Sequence, residues 1–296
     1  MIRTLFEIPI PFIGKSIPVY AYGFMLMIGF LVALYVARMR AKSEGISPEH
    51  ITDLGIYTIF AGIAGGRLFY VIQNFDVYKG NLIDVLKIYQ GGLVFYGGLI
   101  AAVIALIFIL RIKKLPVLKT MDIIALSLAI GLVFGRIGCF LNGCCWGDVC
   151  SPNLLWAVQF PRTIDAHNMI DGSPAFLQHL EEGLISLSDK HSLPIHPTQL
   201  YSSLGNLAIF FILNAFFKYR RRDGEITMLF CILYPVMRFC MEILRADNPP
   251  LFDGLTISQN ASVLIFIAAT TLFIIGRVKQ RGKNDTLKVQ TSHSSA

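Results

Sequence analysis

Charged residues are scarce in this chain. Only 15% of its 296 residues are Asp, Glu, Lys or Arg, whereas 54% are hydrophobic and the mean hydropathy is +0.61. Soluble domains use roughly 25% charged residues. The composition therefore excludes a soluble globular protein and indicates an integral membrane protein.

Cysteine is also infrequent, with six residues in all. Four of them cluster within twelve positions: Cys139, Cys144, Cys145 and Cys150. This pattern excludes the disulfide framework of a small secreted domain. The net charge is +7, but no soluble segment is long enough to form a basic binding domain. We therefore expect bilayer lipids, and no nucleic acid, as the acidic partner.

Seven apolar runs are long enough to cross a bilayer, which takes about 20 residues as a helix. They lie at about 20–37, 54–73, 92–110, 121–141, 199–217, 226–244 and 257–276. The sequence therefore predicts an all-α integral membrane protein, a bundle of seven transmembrane helices.

Basic residues are distributed unequally between the two sides of this bundle. Most Lys and Arg residues follow the first, third, fifth and seventh runs. The positive-inside bias predicts an extracytoplasmic N-terminus and a cytoplasmic C-terminus. No cleavable signal peptide is apparent, because the first run is long and lacks a small-residue cleavage pattern.

The runs divide the chain into four parts. Residues 1–141 hold spans one to four, and residues 199–276 hold spans five to seven. Between them, 142–198 is predicted to be a small extracytoplasmic insertion. The polar segment 277–296 is expected to be a disordered cytoplasmic tail.

Four arginines lie within the apolar runs or at their outer ends: Arg67, Arg136, Arg238 and Arg245. An arginine at the centre of a span costs roughly 2.5–3.5 kcal/mol on insertion scales, so we expect these side chains to face a wet cavity. Snorkelling to the interface, with Glu242 as a partner, is the alternative.

Three charged residues of "RFCMEILR" are spaced to share one face of span six. Arg238, Glu242 and Arg245 follow at i, i+4 and i+7, which predicts a single helical stripe. With Arg136 from span four, this stripe would have surplus positive charge. Because the planar guanidinium suits phosphate oxygens, we expect a phospholipid head group to bind there.

Glycines recur near these charges. Those at 62–66 are typical of close helix packing. Gly91 to Gly98 bracket Phe95 and Tyr96, and there both close packing and close approach of backbone to a ligand remain open.

The motif "HPTQLY" stands where the insertion returns to the membrane. Pro197 suits the first turn of a helix, and Tyr201 suits the aromatic belt. His196 is then either a helix-entry residue or a proton carrier at the mouth of the cavity.

The motifs together resemble the prolipoprotein diacylglyceryl transferase family. They are "YGFMLMIGF" (22–30), "GGLVFYGGL" (91–99), "GRIGCFLNGCCWG" (135–147), "HPTQLY" (196–201) and "RFCMEILR" (238–245). The resemblance implies transfer of the diacylglyceryl group of phosphatidylglycerol to the lipobox cysteine thiol in the signal peptide of a prolipoprotein. The products would be a thioether and glycerol 1-phosphate. It also implies a bacterial inner membrane, with the active site near the outer leaflet.

Residue roles follow from the matching motifs. The resemblance implies that Arg136 and Arg238 hold the phosphate. The other residues implied or expected to bind substrate are Tyr22, Asn142, Gly147, Gln199, Tyr201, Glu242 and Arg245.

The chain departs from the family pattern at three positions. The best-known family members have histidine in place of Tyr96, and the family pattern has asparagine in place of Cys139 and an acidic residue in place of Cys144. Tyrosine, with a pKa of about 10, is a poor base. We therefore hypothesise that His196 activates the thiol, or that the field of the arginines alone lowers the thiol pKa.

The clustered cysteines leave several interpretations open. A disulfide from Cys150 to Cys144 or Cys145 fits an oxidising compartment. Zinc binding lacks the usual CxxC pairs, and small buried packing residues are a further alternative. We expect no metal, no cofactor and a monomer. The alternative functions are a transporter of an anionic solute and a non-catalytic or substrate-switched family member.

Overall fold

The computed structural model describes residues 4–10, 15–79, 82–87, 91–164, 170–247 and 254–294. In chain order, the helices are α1 (Ala21–Ser43), α2 (Pro48–Gln73), α3 (Phe75–Tyr78), α4 (Phe95–Ile112), α5 (Val117–Asn142), α6 (Pro174–Glu181), α7 (Thr198–Phe216), α8 (Glu225–Ile243) and α9 (Ile257–Ser294). All except α3 and α6 are long and apolar enough to cross a membrane. This confirms the predicted seven spans and the helical fold class, while the orientation stays a prediction.

Two short antiparallel hairpins accompany the helices and were not predicted. β1 (Thr4–Ile10) pairs with β2 (Lys15–Tyr20), and β3 (Arg162–Ile164) pairs with β4 (Ile170–Gly172). β1 and β2 are rich in Ile, Val, Phe and Tyr, which suit a pleated and half-buried surface. β2 leads directly into α1.

The chain forms two compact units, and the smaller one comprises residues 34–124. Its core contains Ala41, Leu54, Leu110 and Ile123. In this unit α2 packs along α4.

Glycines bring α2 and α4 together. A Cβ atom at Gly98 would lie 2.9 Å from the backbone oxygen of Gly62, and one at Gly65 would overlap the side chain of Ala101. Close packing is therefore confirmed for 62–66, and it also accounts for the glycines at the start of α4.

Arg67 lies in the smaller unit and is only 6% exposed. Its guanidinium donates hydrogen bonds to the carbonyl oxygens of Asp84 (2.8 Å), Val85 (2.7 Å) and Gly91 (2.8 Å). The expectation that Arg67 faces a wet cavity is therefore wrong. The backbone before α4 satisfies its donors, which stabilises a charge that burial would otherwise penalise.

The larger unit comprises residues 1–33 and 125–296. α1 packs closely on α5, since a Cβ atom at Gly29 would lie 2.9 Å from Cβ of Phe134. α7 is tied to α5 by a hydrogen bond from Ser203 Oγ to the Val133 carbonyl oxygen (3.2 Å). These contacts fix the helix ends that carry the candidate site.

The segment between α5 and α7 has a small core of its own, made by Trp146, Phe160, Ala175 and Ile195. Ser173 caps α6 by accepting a hydrogen bond from the Phe176 N–H. Because Trp146 belongs to this core, the insertion is packed against the chain that leaves α5.

α9 continues past the predicted span to Ser294. The disordered cytoplasmic tail expected for 277–296 stays a prediction. The segment has no proline and is rich in Lys, Arg and Gln, which are good helix formers.

Candidate active site

Three motifs that are far apart in the sequence meet through backbone hydrogen bonds. The Gly147 N–H donates to the His196 carbonyl oxygen (3.1 Å), and the His196 N–H donates to that of Asp148 (3.0 Å). The Asp148 N–H donates to the carbonyl oxygen of Leu244, just past α8 (2.8 Å). The end of α5, the entry to α7 and the end of α8 therefore converge on residues 143–147, here named the cysteine turn.

The first turn of α7 holds the cysteine turn through side chains. Thr198 Oγ1 donates to the Cys145 carbonyl oxygen (2.9 Å), and Gln199 Nε2 donates to that of Cys144 (2.9 Å). Thr198 and Gln199 are fully buried. The amide of Gln199 thus supports the turn, and so does Thr198, which the sequence did not single out.

Gly147 lies where no side chain fits. A Cβ atom there would be 2.5 Å from the His196 carbonyl oxygen and 2.8 Å from Thr198 Cγ2. Its place in the motif therefore follows from the close approach of two backbone segments.

Three thiols gather at this turn. The Sγ atoms of Cys139, Cys144 and Cys145 all lie within 4.8 Å of one another and could together hold a metal ion. Cys139 is on the last turn of α5, and the chain then reverses through Gly143 (φ 76°) and Cys145 (φ 61°). The reversal brings the two later thiols back to the first one.

All six cysteines lie in the described part of the chain, and all six are free. The expected disulfide from Cys150 to Cys144 or Cys145 is therefore wrong for this structure. The reason is the direction of the turn, which points Cys144 and Cys145 towards Cys139 instead.

The environment of Cys145 favours its thiolate. Hydrogen bonds from the Cys139 and Cys144 thiols hold the pKa of the Cys145 thiol well below its usual range. The positive charges of Arg245 and Arg136 act in the same direction.

Arg238 is held in place on α8. Its Nη1 lies 2.6 Å from Oε2 of Glu242, and its Nη2 donates to Ser258 Oγ (3.0 Å). Glu242 is buried and also accepts a hydrogen bond from Thr256 Oγ1 (2.9 Å). The predicted placement of Arg238 and Glu242 on one face of the helix is confirmed.

Arg245 does not continue the stripe of α8, because the helix ends at Ile243. The prediction of one stripe for all three charges is wrong at this residue. Arg245 instead forms a bidentate pair with Asp247 (2.8 and 2.7 Å), and its backbone lies beside that of Gly147. Asp247 was missed because it follows the motif.

Arg136 is half-buried near the end of α5. It makes no hydrogen bond or ion pair with the residues that the structure describes, yet it lies within electrostatic range of Arg238 and Cys145. Since Glu242 and Asp247 neutralise the other two arginines, the surplus positive charge is smaller than expected and resides on Arg136.

Two further residues predicted for the site lie beside these groups. Tyr22 packs against Gly138 on α5 and is within electrostatic range of Arg136 and the three thiols. Asn142, the last residue of α5, lies close enough to Cys144 for its side chain to interact with the thiol. The structure thus brings Tyr22 and Asn142 together with the arginines and the cysteine turn.

His196 is linked to two aromatic residues of the same unit. Its Nδ1 lies 3.3 Å from the hydroxyl oxygen of Tyr201, which accepts a hydrogen bond from Trp156 Nε1 (2.7 Å). That oxygen has a second acceptor position, which can accept a hydrogen bond from Nδ1–H of His196. In that tautomer Nε2 of His196 keeps its lone pair and can accept a proton.

Tyr96 lies in the first turn of α4, in the smaller unit. It is 62% exposed, and its ring meets that of Phe95 edge-on, with centroids 5.7 Å apart. Its part in the reaction stays a prediction.

Comparison with known proteins gives a consistent result. Residues 9–275 match the family model described as prolipoprotein diacylglyceryl transferase. A phosphatidylglycerol–prolipoprotein diacylglyceryl transferase of Finegoldia magna is 36% identical over 261 residues, which cover 88% of this chain and 92% of that protein. Enzymes of the same name from Thermotoga maritima (34% identical, 88% and 82% covered) and Photorhabdus laumondii (33% identical, 95% and 96% covered) are also similar.

Proposed function

The chain belongs to the prolipoprotein diacylglyceryl transferase family, and we propose that the cysteine turn and the arginines around it form its active site. The chain is a multi-pass membrane transferase with phosphatidylglycerol as donor and a prolipoprotein as acceptor. The diacylglyceryl group passes to the thiol of the lipobox cysteine, and glycerol 1-phosphate leaves.

Arg136 is the main support for this proposal. A half-buried guanidinium whose donors the described residues do not use is available for a phosphate. As sulfur attacks carbon, negative charge grows on the departing phosphate oxygen. Fixed positive charge stabilises this developing negative charge most strongly where water is partly excluded.

Arg238 is the second phosphate ligand in this proposal. Glu242 and Ser258 fix two of its nitrogen atoms, which lowers the cost of ordering the side chain when the lipid binds. Glu242 is thus a positioning residue, and Arg245, paired with Asp247, positions the cysteine turn beside it. Tyr22 and Asn142 are proposed to donate hydrogen bonds to the head group.

A groove along α8 and α9 suits an acyl chain of the donor. It has a volume of about 210 Å³ and is lined by side chains such as Pro235, Phe239, Val263 and Phe266. Pro235 and Phe239 flank Arg238 on α8. We propose that one acyl chain lies in this groove while the phosphate contacts Arg238.

The acceptor thiol has to lose its proton before it attacks, because a free cysteine has a pKa of about 8.5. His196 is the proposed base, with Tyr201 orienting its ring through Nδ1. The alternative is that the field of the arginines alone favours the thiolate.

The proposed location is the bacterial cytoplasmic membrane, with the site near the outer leaflet. The positive-inside bias supports an extracytoplasmic N-terminus. The beginnings of α1 and α7 and the ends of α5 and α8 would then lie at the outer face, together with the lipid head groups.

A transporter of an anionic solute and a non-catalytic family member are not favoured, since the similar proteins are named as transferases. Complementation tests the proposal in cells. The chain is expected to restore growth and lipoprotein maturation to a bacterium depleted of its own transferase, and Arg136→Ala is expected not to. Absence of rescue by the folded, membrane-inserted chain would contradict the proposal.

A further inference from the structure

The three thiols of the cysteine turn have the spacing of a metal site. Their Sγ atoms lie within 4.8 Å of one another. In a tetrahedral zinc site with Zn–S bonds of about 2.3 Å, neighbouring sulfur atoms are about 3.8 Å apart. To bind one ion, the sulfur atoms of Cys139, Cys144 and Cys145 would therefore have to move closer together by no more than about 1 Å.

The site is built by several elements. Cys139 is fixed by α5, whereas the carbonyl groups of Cys144 and Cys145 accept hydrogen bonds from the buried residues Gln199 and Thr198 of α7. Cys145 also has a positive φ of 61°, a conformation that non-glycine residues adopt rarely and that the surroundings must maintain. The thiols are thus preorganised rather than carried on a free loop.

Charge around the thiols favours metal binding as well. Three thiolates and one Zn²⁺ leave one net negative charge, which the nearby guanidinium groups of Arg136 and Arg245 would offset. The side chain of Asn142 lies beside Cys144, where an outer partner of metal-bound sulfur would lie. A disulfide would use two of the three thiols and leave the third without a role.

We propose that Cys139, Cys144 and Cys145 bind one Zn²⁺ ion, and that its fourth coordination position receives the acceptor thiol of the prolipoprotein. The second half of this inference rests on the proposed function. Structural zinc sites have four protein ligands, whereas catalytic sites have three and keep one position open. The described residues supply three sulfur ligands here.

The chemistry balances without any oxidant or reductant. The acceptor thiol gives its proton to water or to a nearby base and binds the ion as a thiolate, since coordination deprotonates a thiol. A sulfur lone pair then forms the C–S bond to the glyceryl carbon while the C–O bond to phosphate breaks. The electron pair of that bond stays on the phosphate oxygen, and the thioether leaves the ion.

Zinc content tests the site independently of any transfer activity. The full-length protein is purified in detergent with a phosphine reductant and no chelator. Its zinc content is measured by inductively coupled plasma mass spectrometry. We expect about one zinc ion per chain in the wild type. The zinc content should be about tenfold lower in Cys139→Ser, Cys144→Ser and Cys145→Ser. Cys150→Ser and Cys240→Ser are matched controls that should keep the zinc, and gel filtration confirms that each variant is folded.

Cobalt tests the open position. Co²⁺ bound to the wild type should show thiolate-to-cobalt charge-transfer absorption, and a lipobox peptide should increase it. The same peptide with serine in place of its cysteine should not. Unchanged spectra with the thiol peptide would overturn the role of the fourth position.

Other outcomes separate this inference from the proposed function. Three results would each overturn the metal site. The first is a wild type that neither contains zinc nor takes it up under reducing conditions, the second is zinc retained by all three serine variants, and the third is a disulfide among the three cysteines. Full transfer by zinc-free protein would overturn the catalytic part and leave the proposed function intact. Zinc bound at the three thiols without any transfer would support the site and count against the proposed function.

Discussion

Nη1 of Arg238 lies 2.6 Å from Oε2 of Glu242, one turn further along α8. Glu242 is only 4% exposed, so the pair is formed largely away from water. An ion pair of this kind holds the arginine in one orientation and can leave its other donors for a ligand. The catalytic proposal depends on this orientation.

Glu242→Gln removes the charge and keeps the shape. Hydrogen bonds to charged groups contribute about 1.5–3 kcal/mol, so we expect kcat/KM for phosphatidylglycerol to fall about 10-fold to 100-fold. Initial rates over a range of donor concentrations measure this. Asp189→Asn, at an exposed carboxylate of the insertion, is the matched control and should be neutral. Equal rates for Glu242→Gln and wild type would contradict the positioning role.

Replacing Arg136 is expected to lower kcat/KM more than replacing any other cationic residue of the site. Arg136→Ala should lower kcat/KM by about 100-fold or more, since it removes a charge-assisted bond to the leaving phosphate. Arg136→Lys should recover only part of this loss, because lysine lacks the planar fork. The control is Arg38→Ala on α1, which lies in the other unit. A neutral Arg136→Ala would remove the main support for the phosphate site.

Gly147→Ala should destabilise the larger unit. The new Cβ would lie 2.5 Å from the His196 carbonyl oxygen, and such overpacking costs about 1–3 kcal/mol. We expect a lower Tm in detergent and loss of transfer. Gly23→Ala is the matched control, because nothing lies within 4 Å of its Cβ position. An unchanged Tm for Gly147→Ala would show that the three segments do not meet as described.

His196→Ala distinguishes the two routes to the thiolate. If His196 is the base, the rate at neutral pH should fall about 10²-fold to 10⁴-fold. The difference from wild type should shrink as the pH passes the pKa of a free thiol, about 8.5, because the acceptor then ionises unaided. Rates measured from pH 6 to 9 test this, and full activity at pH 7 would favour the arginine field instead.

Much of the fold follows from composition and periodicity. Seven apolar runs give seven helices, because a bilayer requires each spanning segment to satisfy its own backbone. The pairing of Arg238 with Glu242 follows from their i, i+4 spacing. These features are local, so a single sequence is enough to predict them.

The features that were missed depend on contacts between distant segments. Arg67 is bound by carbonyl groups of the chain before α4, which no pattern within α2 indicates. Asp247 pairs with Arg245 only because α8 ends at Ile243. The three thiols meet because Cys145 adopts a left-handed backbone conformation, which is unusual for cysteine. Their spacing in the sequence also differs from the CxxC pairs of familiar metal sites.

The most direct measurement is product stoichiometry in a defined reaction. Purified protein is incubated with phosphatidylglycerol and a lipobox peptide, and the modified peptide and glycerol 1-phosphate are quantified by mass spectrometry. Our account predicts equal amounts of the two products with wild type, and a loss of both in Arg136→Ala and Arg238→Ala. A peptide that never gains the diacylglyceryl mass, or modification that persists without both arginines, would contradict it.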